Sequence, residues 1–143
     1  MRLYLDSSAL VKAFVEEEGR DKVIAVLSRA DVAATSRLAY VECRAAFARA
    51  LREGRLSEQD ERSVTRALDQ RWGQLAVLEL DDSLMRDAAV LTRTFSLRAA
   101  DAVHLASAVL LAGEEMSGTT FACWDTKLTE AAASAGLEVI GPE

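Results

Sequence analysis

Residues 2–15, RLYLDSSALVKAFV, decide the fold of this chain. The apolar run before Asp6 predicts a short strand, and Asp6 and the serines after it are typical of a helix start. Beyond them, apolar residues recur at helical spacing: Leu10, Val11, Phe14 and Val15. Gly19 is predicted to end this helix. A strand followed directly by a capped helix is the opening unit of an α/β fold.

The rest of the chain continues the alternation of strands and helices. Further strands are predicted at residues 32–35, 76–80, 119–124 and 137–140. Further helices are predicted at residues 23–27, 38–51, 57–71, 83–95, 99–112 and 126–135. This pattern predicts a three-layer α/β/α sandwich around a central, mostly parallel sheet of about five strands. The chain has no internal repeat, so we expect residues 1–143 to form a single domain.

The charge and apolar content of the chain limit which partners it can bind. The 143 residues carry 17 Lys and Arg against 23 Asp and Glu, a net charge of −6 that disfavours non-specific binding to nucleic acid. Five arginines between residues 37 and 55 could still line a local basic groove, the alternative being a solvated helix surface. No apolar segment approaches a membrane span of about 20 residues, and no signal peptide is evident. We therefore expect a cytoplasmic protein with no membrane contact, whose two cysteines are reduced and buried.

Two acidic residues follow predicted strands. Asp6 comes after the first strand and Asp125 after the fourth. In a parallel sheet, ligands bind beyond the carboxyl ends of the strands, so the two carboxylates would converge if these strands are neighbours. Each could instead cap the helix that follows it, and Asp101 could cap the helix it opens.

Glu42 differs from these aspartates, because it lies inside a predicted helix. Positions 38, 41, 42, 45 and 46 form one mostly apolar face by helical spacing. A carboxylate on that face is costly unless a partner satisfies it. An ordinary partner such as an arginine could do so, and a functional site is the alternative.

The acids lie in four ordered segments. The first is residues 3–12, LYLDSSALVK, and the second combines Thr35-Ser36 with Glu42. The third is residues 97–108, LRAADAVHLASA, and in the fourth Asp125 precedes an Ala-rich helix and a last strand. With these segments the chain resembles the PIN-domain family, in particular the VapC ribonuclease toxins, over nearly its whole length. Trp124 departs from the pattern, because the family usually has a small residue such as Thr there.

The resemblance implies a PIN-like nuclease domain. Its activity would be that of a Mg²⁺- or Mn²⁺-dependent endoribonuclease, the toxin of a VapBC-type toxin–antitoxin pair, which hydrolyses RNA phosphodiesters with a metal-activated water. The implied catalytic and metal-binding residues are Asp6, Glu42, Asp101 and Asp125. Asp6 and Asp101 are the first choices as direct ligands. The other two would bind the ion directly or through water.

The family also implies two protein partners. One is a small VapB-like antitoxin whose carboxyl-terminal segment occupies the groove, often placing an arginine among the acids. The other is a second copy of the chain, since homodimers are usual in the family. The Ala-rich helices at residues 38–51 and 57–71 are candidates for that interface.

Electrostatics supports a cation site without reference to the family. Two carboxylates about 4 Å apart repel by about 4 kcal/mol at an effective dielectric constant near 20, so an acidic pocket favours a cation. Hard divalent ions prefer such oxygen ligands. A protein nucleophile is not evident, because Cys43 and Cys123 both lie in apolar surroundings far from His104 in sequence.

Three further side chains are expected to support the acids. Ser8 and Ser36 would orient Asp6 or cap helices. His104 shares a helix face with Asp101, where it could contact substrate phosphate or transfer a proton, although a packed structural role is the alternative. Lys12 could offset the pocket charge, unless it faces solvent as lysines at such positions usually do.

Two other functions remain open at this stage. A receiver-type phosphoacceptor domain is also a small α/β sandwich with an acidic pocket, and Asp81 or Asp82 after the third strand would be its phosphorylated residue. That function leaves Glu42 and Asp101 without a role. A catalytically idle PIN-like interaction module is the second alternative, which the presence of all four acids disfavours.

Overall fold

The structure, a computed structural model, describes residues 1–142. They form a five-stranded sheet with helices on both faces. The strands are β1 (Arg2–Leu5), β2 (Val32–Ser36), β3 (Ala76–Leu78), β4 (Thr119–Ala122) and β5 (Glu138–Ile140). The helices are α1 (Ser7–Val11), α2 (Arg20–Arg29), α3 (Leu38–Arg52), α4 (Glu58–Trp72), α5 (Asp82–Thr94), α6 (Ala99–Ala112) and α7 (Thr126–Ser134), with a 3₁₀ turn at Met116–Gly118.

The sheet is parallel throughout, in the order β3-β2-β1-β4-β5. Because β1 lies between β2 and β4, the chain builds outward from β1 to one edge and later adds β4 and β5 on the other side. The strand order therefore reverses between β1 and β4. In open parallel sheets this crevice, beyond the carboxyl ends of the two strands, is where ligands bind.

Each face of the sheet carries its own apolar core. Along β1, Leu3 and Leu5 point into the core beneath α1 to α4, whereas Tyr4 points into the core beneath α5 to α7. All three side chains are fully buried. This alternation follows from the two-residue period of a strand and gives the central strand its continuous apolar sequence. The predicted three-layer sandwich is confirmed.

Most predicted element boundaries agree with the structure to within one or two residues, and α4 opens with the expected capping box between Ser57 and Asp60. The first helix is the exception. It ends at Val11, after which Ala13 and Phe14 continue in turns closed by hydrogen bonds to the carbonyl three residues back. These tighter turns direct Phe14 toward the core against Phe47.

Gly19 does not end α1 as predicted but caps the start of α2. Its φ of +91° is one that residues with a side chain rarely adopt. A Cβ atom at this position would lie 2.7 Å from the ring of Trp124, so the glycine is also required by a close tertiary contact.

By length and apolar composition, no individual helix within residues 1–142 could span a membrane, although α5 and α6 would pass that test as a pair bent by 116°.

Candidate active site

The carboxyl ends of β1 and β4 are joined by hydrogen bonds just where the acidic residues begin. The amide of Asp6 donates to the carbonyl of Ala122 at 3.2 Å. The amide of Trp124 donates to the Ser8 hydroxyl at 2.9 Å. Thr35 of β2 adds a third tie, because its buried hydroxyl donates to the Leu5 carbonyl at 2.7 Å. The loop that carries Asp6 is therefore held from both neighbouring strands.

Asp6 is a nearly buried carboxylate, 4% exposed. The Ser8 hydroxyl and the Ala9 amide donate to its Oδ1 atom at 2.6 and 2.9 Å, so Asp6 caps α1 and Ser8 orients it. Burial raises the pKa of Asp6, and the groups that oppose this shift are His104, Ser8, the Ala9 amide and Cys123 rather than a lysine or an arginine. Both hydrogen bonds engage Oδ1, so the cap does not use Oδ2.

Glu42 is paired with His104, which the sequence left without a partner. The Nε2 atom of His104 lies 2.6 Å from Oε1 of Glu42, and its Nδ1 atom lies 2.8 Å from the hydroxyl of Tyr4. The Glu42 side chain retains 27% exposure, whereas His104 is buried. Of the alternatives left open by the sequence, an ordinary partner is present, but it is a histidine 62 residues away rather than an arginine.

The predicted apolar face of α3 is also wrong. The buried residues of the helix are Ala39, Cys43, Phe47 and Ala50, whereas Val41 is 60% exposed. An Ala-rich helix has small apolar residues on most of its circumference, so helical spacing alone does not determine which side faces the sheet. Glu42 consequently lies beside the core face rather than within it.

Asp101 and Asp125 share one arginine. The Nε atom of Arg98 lies 3.2 Å from Asp101, and its terminal nitrogen lies 3.9 Å from Oδ2 of Asp125. Asp125 also caps α7 through Oδ1, which accepts from the Leu128 amide at 2.8 Å. The helix-capping role considered for Asp101 is wrong, because α6 begins after Arg98 and has no side-chain cap.

The four acids thus occur as two neighbouring pairs in the structure. His104 interacts with Glu42 and electrostatically with Asp6, while Arg98 bridges the other two. Within residues 1–142, no three His, Cys, Asp or Glu side chains already form a group that could hold a metal ion. The donor set still fits a hard ion, since Mg²⁺ commonly takes only one or two protein carboxylates. Among these acids Asp6 is the buried one, and the Ser8 hydroxyl and the Ala9 amide hold its carboxylate in place.

Two of the expected supporting residues make defined contacts. Ser36 accepts a hydrogen bond from the Leu38 amide at 3.1 Å, although Arg37 is the cap residue of α3 and no side chain caps that helix. Lys12, however, does not face solvent. Its side chain is 10% exposed, pairs with Glu17 at 3.0 Å, and places its ammonium 5.1 Å from the centre of the Trp124 ring.

Both cysteines are unreactive by environment. Burial raises the pKa of Cys43 to about 12 and that of Cys123 still further, so both remain thiols at neutral pH. The Sγ atom of Cys123 accepts the Asp125 amide at 3.2 Å, which helps to fix that loop. Neither residue has the environment of a nucleophile, as expected from the sequence.

The sheet order excludes a receiver-type site. Receiver folds follow the order 2-1-3-4-5, in which β1 and β3 are neighbours. Here β3 is an edge strand separated from β1 by β2. Asp81 caps α5 and Asp82 pairs with Arg86 at 2.7 Å, so neither belongs to the crevice at Asp6.

Arg98 and Tyr4 are the residues that sequence reasoning missed. The three-residue spacing between Arg98 and Asp101 could have identified the arginine, because residues three apart on a helix are neighbours. Tyr4 carried no comparable signal. Its hydroxyl meets a ring 100 residues away in sequence.

Comparisons with known proteins identify the family of this chain. Residues 3–120 match the PIN domain family. The chain is 39% identical to ribonuclease VapC49 of Mycobacterium tuberculosis (strain H37Rv) over 137 residues, which cover 96% of this chain and 93% of that protein. It is 34% identical to ribonuclease VapC46 of the same strain over 140 residues, 98% of this chain and 97% of that protein.

Solved structures share the fold at low sequence identity. FitAcB from Neisseria gonorrhoeae superposes with a TM-score of 0.67 at 19% identity, covering 96% of each chain. VapBC2 from Rickettsia felis, bound to a promoter DNA fragment, gives 0.66 at 12% identity over the full length of both chains. From the family match and the identity to its relatives, this chain belongs to the PIN domain family.

Proposed function

We propose that this chain is a metal-dependent endoribonuclease that acts as the toxin of a VapBC-type toxin–antitoxin pair. The observation that carries the proposal is the buried Asp6 carboxylate, which lies in the crevice between β1 and β4. The relatives named ribonuclease VapC, similar over nearly the whole chain, support the same activity. We treat residues 1–143 as one nuclease domain.

Asp6 and Asp101 would hold Mg²⁺ or Mn²⁺, with Glu42 and Asp125 bound directly or through water. Such an ion supplies charge stabilisation for the phosphodiester and lowers the pKa of a nearby water. The chain's own contribution is to hold the carboxylates in place. Ser8 and the Ala9 amide hold one oxygen of Asp6, and the α7 cap holds one oxygen of Asp125.

A cleft beside Glu42 is the proposed site for the RNA backbone. It has a volume of about 300 Å³ and extends from Ser8 and Glu42 toward Lys12, Arg49 and Arg55. The two arginines, which both pair with Glu53, belong to the basic stretch noted in the sequence. Phosphates in this cleft would meet cations despite the net charge of −6. The local basic groove thus becomes part of the proposed RNA site.

The proposed protein partner is a VapB-like antitoxin. The solved relatives include toxin–antitoxin complexes, among them one from Klebsiella pneumoniae. Arg98 demonstrates within this chain that a guanidinium fits between Asp101 and Asp125, which is the contact that an inhibitory arginine would make. A homodimer and a cytoplasmic location remain predictions. Light scattering on the purified chain would test the first of these.

Cleavage of a defined RNA by the Asp6→Asn variant tests the function. Asparagine caps a helix about as well as aspartate, so the fold should survive while the charge is lost. We expect cleavage by the wild type in Mn²⁺ or Mg²⁺ that stops on chelation, and no cleavage by Asp6→Asn. The matched control is Asp82→Asn on the exposed end of α5, which should cleave normally. Wild-type cleavage by Asp6→Asn would refute the assignment.

A further inference from the structure

We propose that Tyr4 and His104 are positioning residues that hold the Glu42 carboxylate in the orientation used for RNA cleavage. This inference rests on the proposed nuclease function, because Glu42 needs a fixed orientation only if it belongs to a working site. It gives a purpose to the series of hydrogen bonds that joins these three side chains through the interior of the protein.

The three side chains come from three layers of the fold. Tyr4 lies on the central strand β1, His104 on α6 on one side of the sheet, and Glu42 on α3 on the other side. The Tyr4 hydroxyl is 2.8 Å from Nδ1 of His104, and Nε2 is 2.6 Å from Oε1 of Glu42. Tyr4 and His104 are 0% and 1% exposed, so packing holds both donors rigidly.

The direction of the hydrogen bonds follows from what each group can donate. A tyrosine hydroxyl, whose usual pKa is about 10, keeps its proton at neutral pH. A carboxylate only accepts, so in the neutral imidazole Nε2 carries the hydrogen that is donated to Glu42. Nδ1 then accepts from the Tyr4 hydroxyl. The two hydrogen bonds therefore favour one tautomer of His104, in which the ring N–H points at Glu42.

This arrangement matches how Asp6 is held. Donors engage Oδ1 of Asp6 and Oε1 of Glu42, and these hydrogen bonds do not use the other oxygen of either carboxylate. A glutamate has more rotatable bonds than an aspartate, so Glu42 needs a donor from outside its own helix to select one rotamer. Partners of this kind typically change metal affinity or activity by about 10- to 100-fold when they are removed.

The tautomer can be measured directly, because His104 is the only histidine in the chain. Ring ¹⁵N NMR of the metal-free protein should place the hydrogen on Nε2. In Tyr4→Phe the hydrogen should stay on Nε2, which still donates to Glu42, while the Nδ1 signal should shift because Nδ1 loses the donor from Tyr4. A hydrogen on Nδ1 in the wild type, or ring signals that are unchanged in Tyr4→Phe, would overturn the proposed hydrogen bonds from Tyr4 through His104 to Glu42.

RNA cleavage and Mn²⁺ binding are then compared in three variants: Tyr4→Phe, His104→Leu and His104→Gln. We expect the first two to lower kcat and weaken binding of Mn²⁺ to the metal-free protein by about 10- to 100-fold, with KM for RNA unchanged. His104→Gln should recover part of the loss, because its amide can still donate to Glu42. Phe121→Leu is the control, since Phe121 stacks on Tyr4 at 5.5 Å but belongs to no hydrogen bond of the chain.

Failure of this inference is distinguishable from failure of the nuclease assignment. If Asp6→Asn is inactive while Tyr4→Phe and His104→Leu keep wild-type kcat, only the positioning role is refuted. An equal loss in Phe121→Leu would likewise refute it in favour of general core packing. Full activity of Asp6→Asn would refute the nuclease assignment itself.

Discussion

The contact between Gly19 and Trp124 allows a prediction whose size can be worked out from the structure. Gly19→Ala adds a Cβ atom 2.7 Å from three atoms of the Trp124 ring, on a backbone with φ of +91°. The backbone strain costs about 1–2 kcal/mol, and overpacking typically costs a further 1–3 kcal/mol. We therefore expect Gly19→Ala to lower the free energy of unfolding by about 2–5 kcal/mol.

A matched control separates the cost of backbone strain from the cost of overpacking. Gly54 also has a positive φ, +75°, but a Cβ atom there would meet nothing within 4 Å. Backbone strain alone should therefore lower the free energy of unfolding of Gly54→Ala, by about 1–2 kcal/mol. In a Trp124→Thr background, which restores the small residue usual in the family, Gly19→Ala should lower the free energy of unfolding by no more than that amount.

Urea denaturation followed by circular dichroism gives all four corners of this double-mutant cycle, provided that the m-value stays constant. We expect a coupling energy of about 1–3 kcal/mol, well above the roughly 0.5 kcal/mol scatter of independent sites. Because the Trp124 amide donates to Ser8, which in turn donates to Asp6, Gly19→Ala should also slow RNA cleavage. Equal costs for Gly19→Ala with and without Trp124 would refute the reasoning.

Two further predictions concern the acids. In the absence of divalent ions, Asp6→Asn should raise the melting temperature at pH 7. Because burial raises the folded-state pKa of Asp6, its charge costs stability above that pKa, and the advantage of Asn should disappear below the usual aspartate pKa of about 3.9. A melting temperature that falls at every pH would contradict this. Arg98→Ala should leave stability within about 0.5 kcal/mol but strengthen Mn²⁺ binding about two- to five-fold, because the exposed guanidinium competes for Asp101 and Asp125. Arg86→Ala, which removes an arginine of similar exposure from its ion pair with Asp82, should leave Mn²⁺ affinity unchanged, and equal effects of the two variants would show that Arg98 does not compete.

Several features of the fold were predictable because their causes are local in the chain. The strand before Asp6, the capping box at Ser57 and the helix at residues 99–112 each depend on neighbouring residues, and the structure has all three. The capping roles of Asp6 and Asp125 were predictable for the same reason. The ordered motifs then placed the four acids in the PIN-domain pattern before any geometry was known.

The first helix shows where local reasoning fails. Phe14 and Val15 continue the helical period, yet the chain leaves the helix at Val11. Burial of Phe14 against Phe47 outweighs the weak local preference for helix. Gly19 was predicted to end the first helix but caps the start of α2, and its close contact is with a tryptophan more than a hundred residues away.

The sequence by itself determined the alternation of strands and helices, the helix caps and the identity of the acids, since each depends on residues a few positions apart. Only the tertiary structure decided which side of α3 faces the sheet, because an Ala-rich helix presents apolar surface in most directions. It also decided that Glu42 takes His104 as its partner, and that Arg98 rather than a third acid lies between Asp101 and Asp125. Hydrogen bonds and ion pairs require atoms to meet within a few ångströms, and the order of strands in the sheet brings these distant residues together.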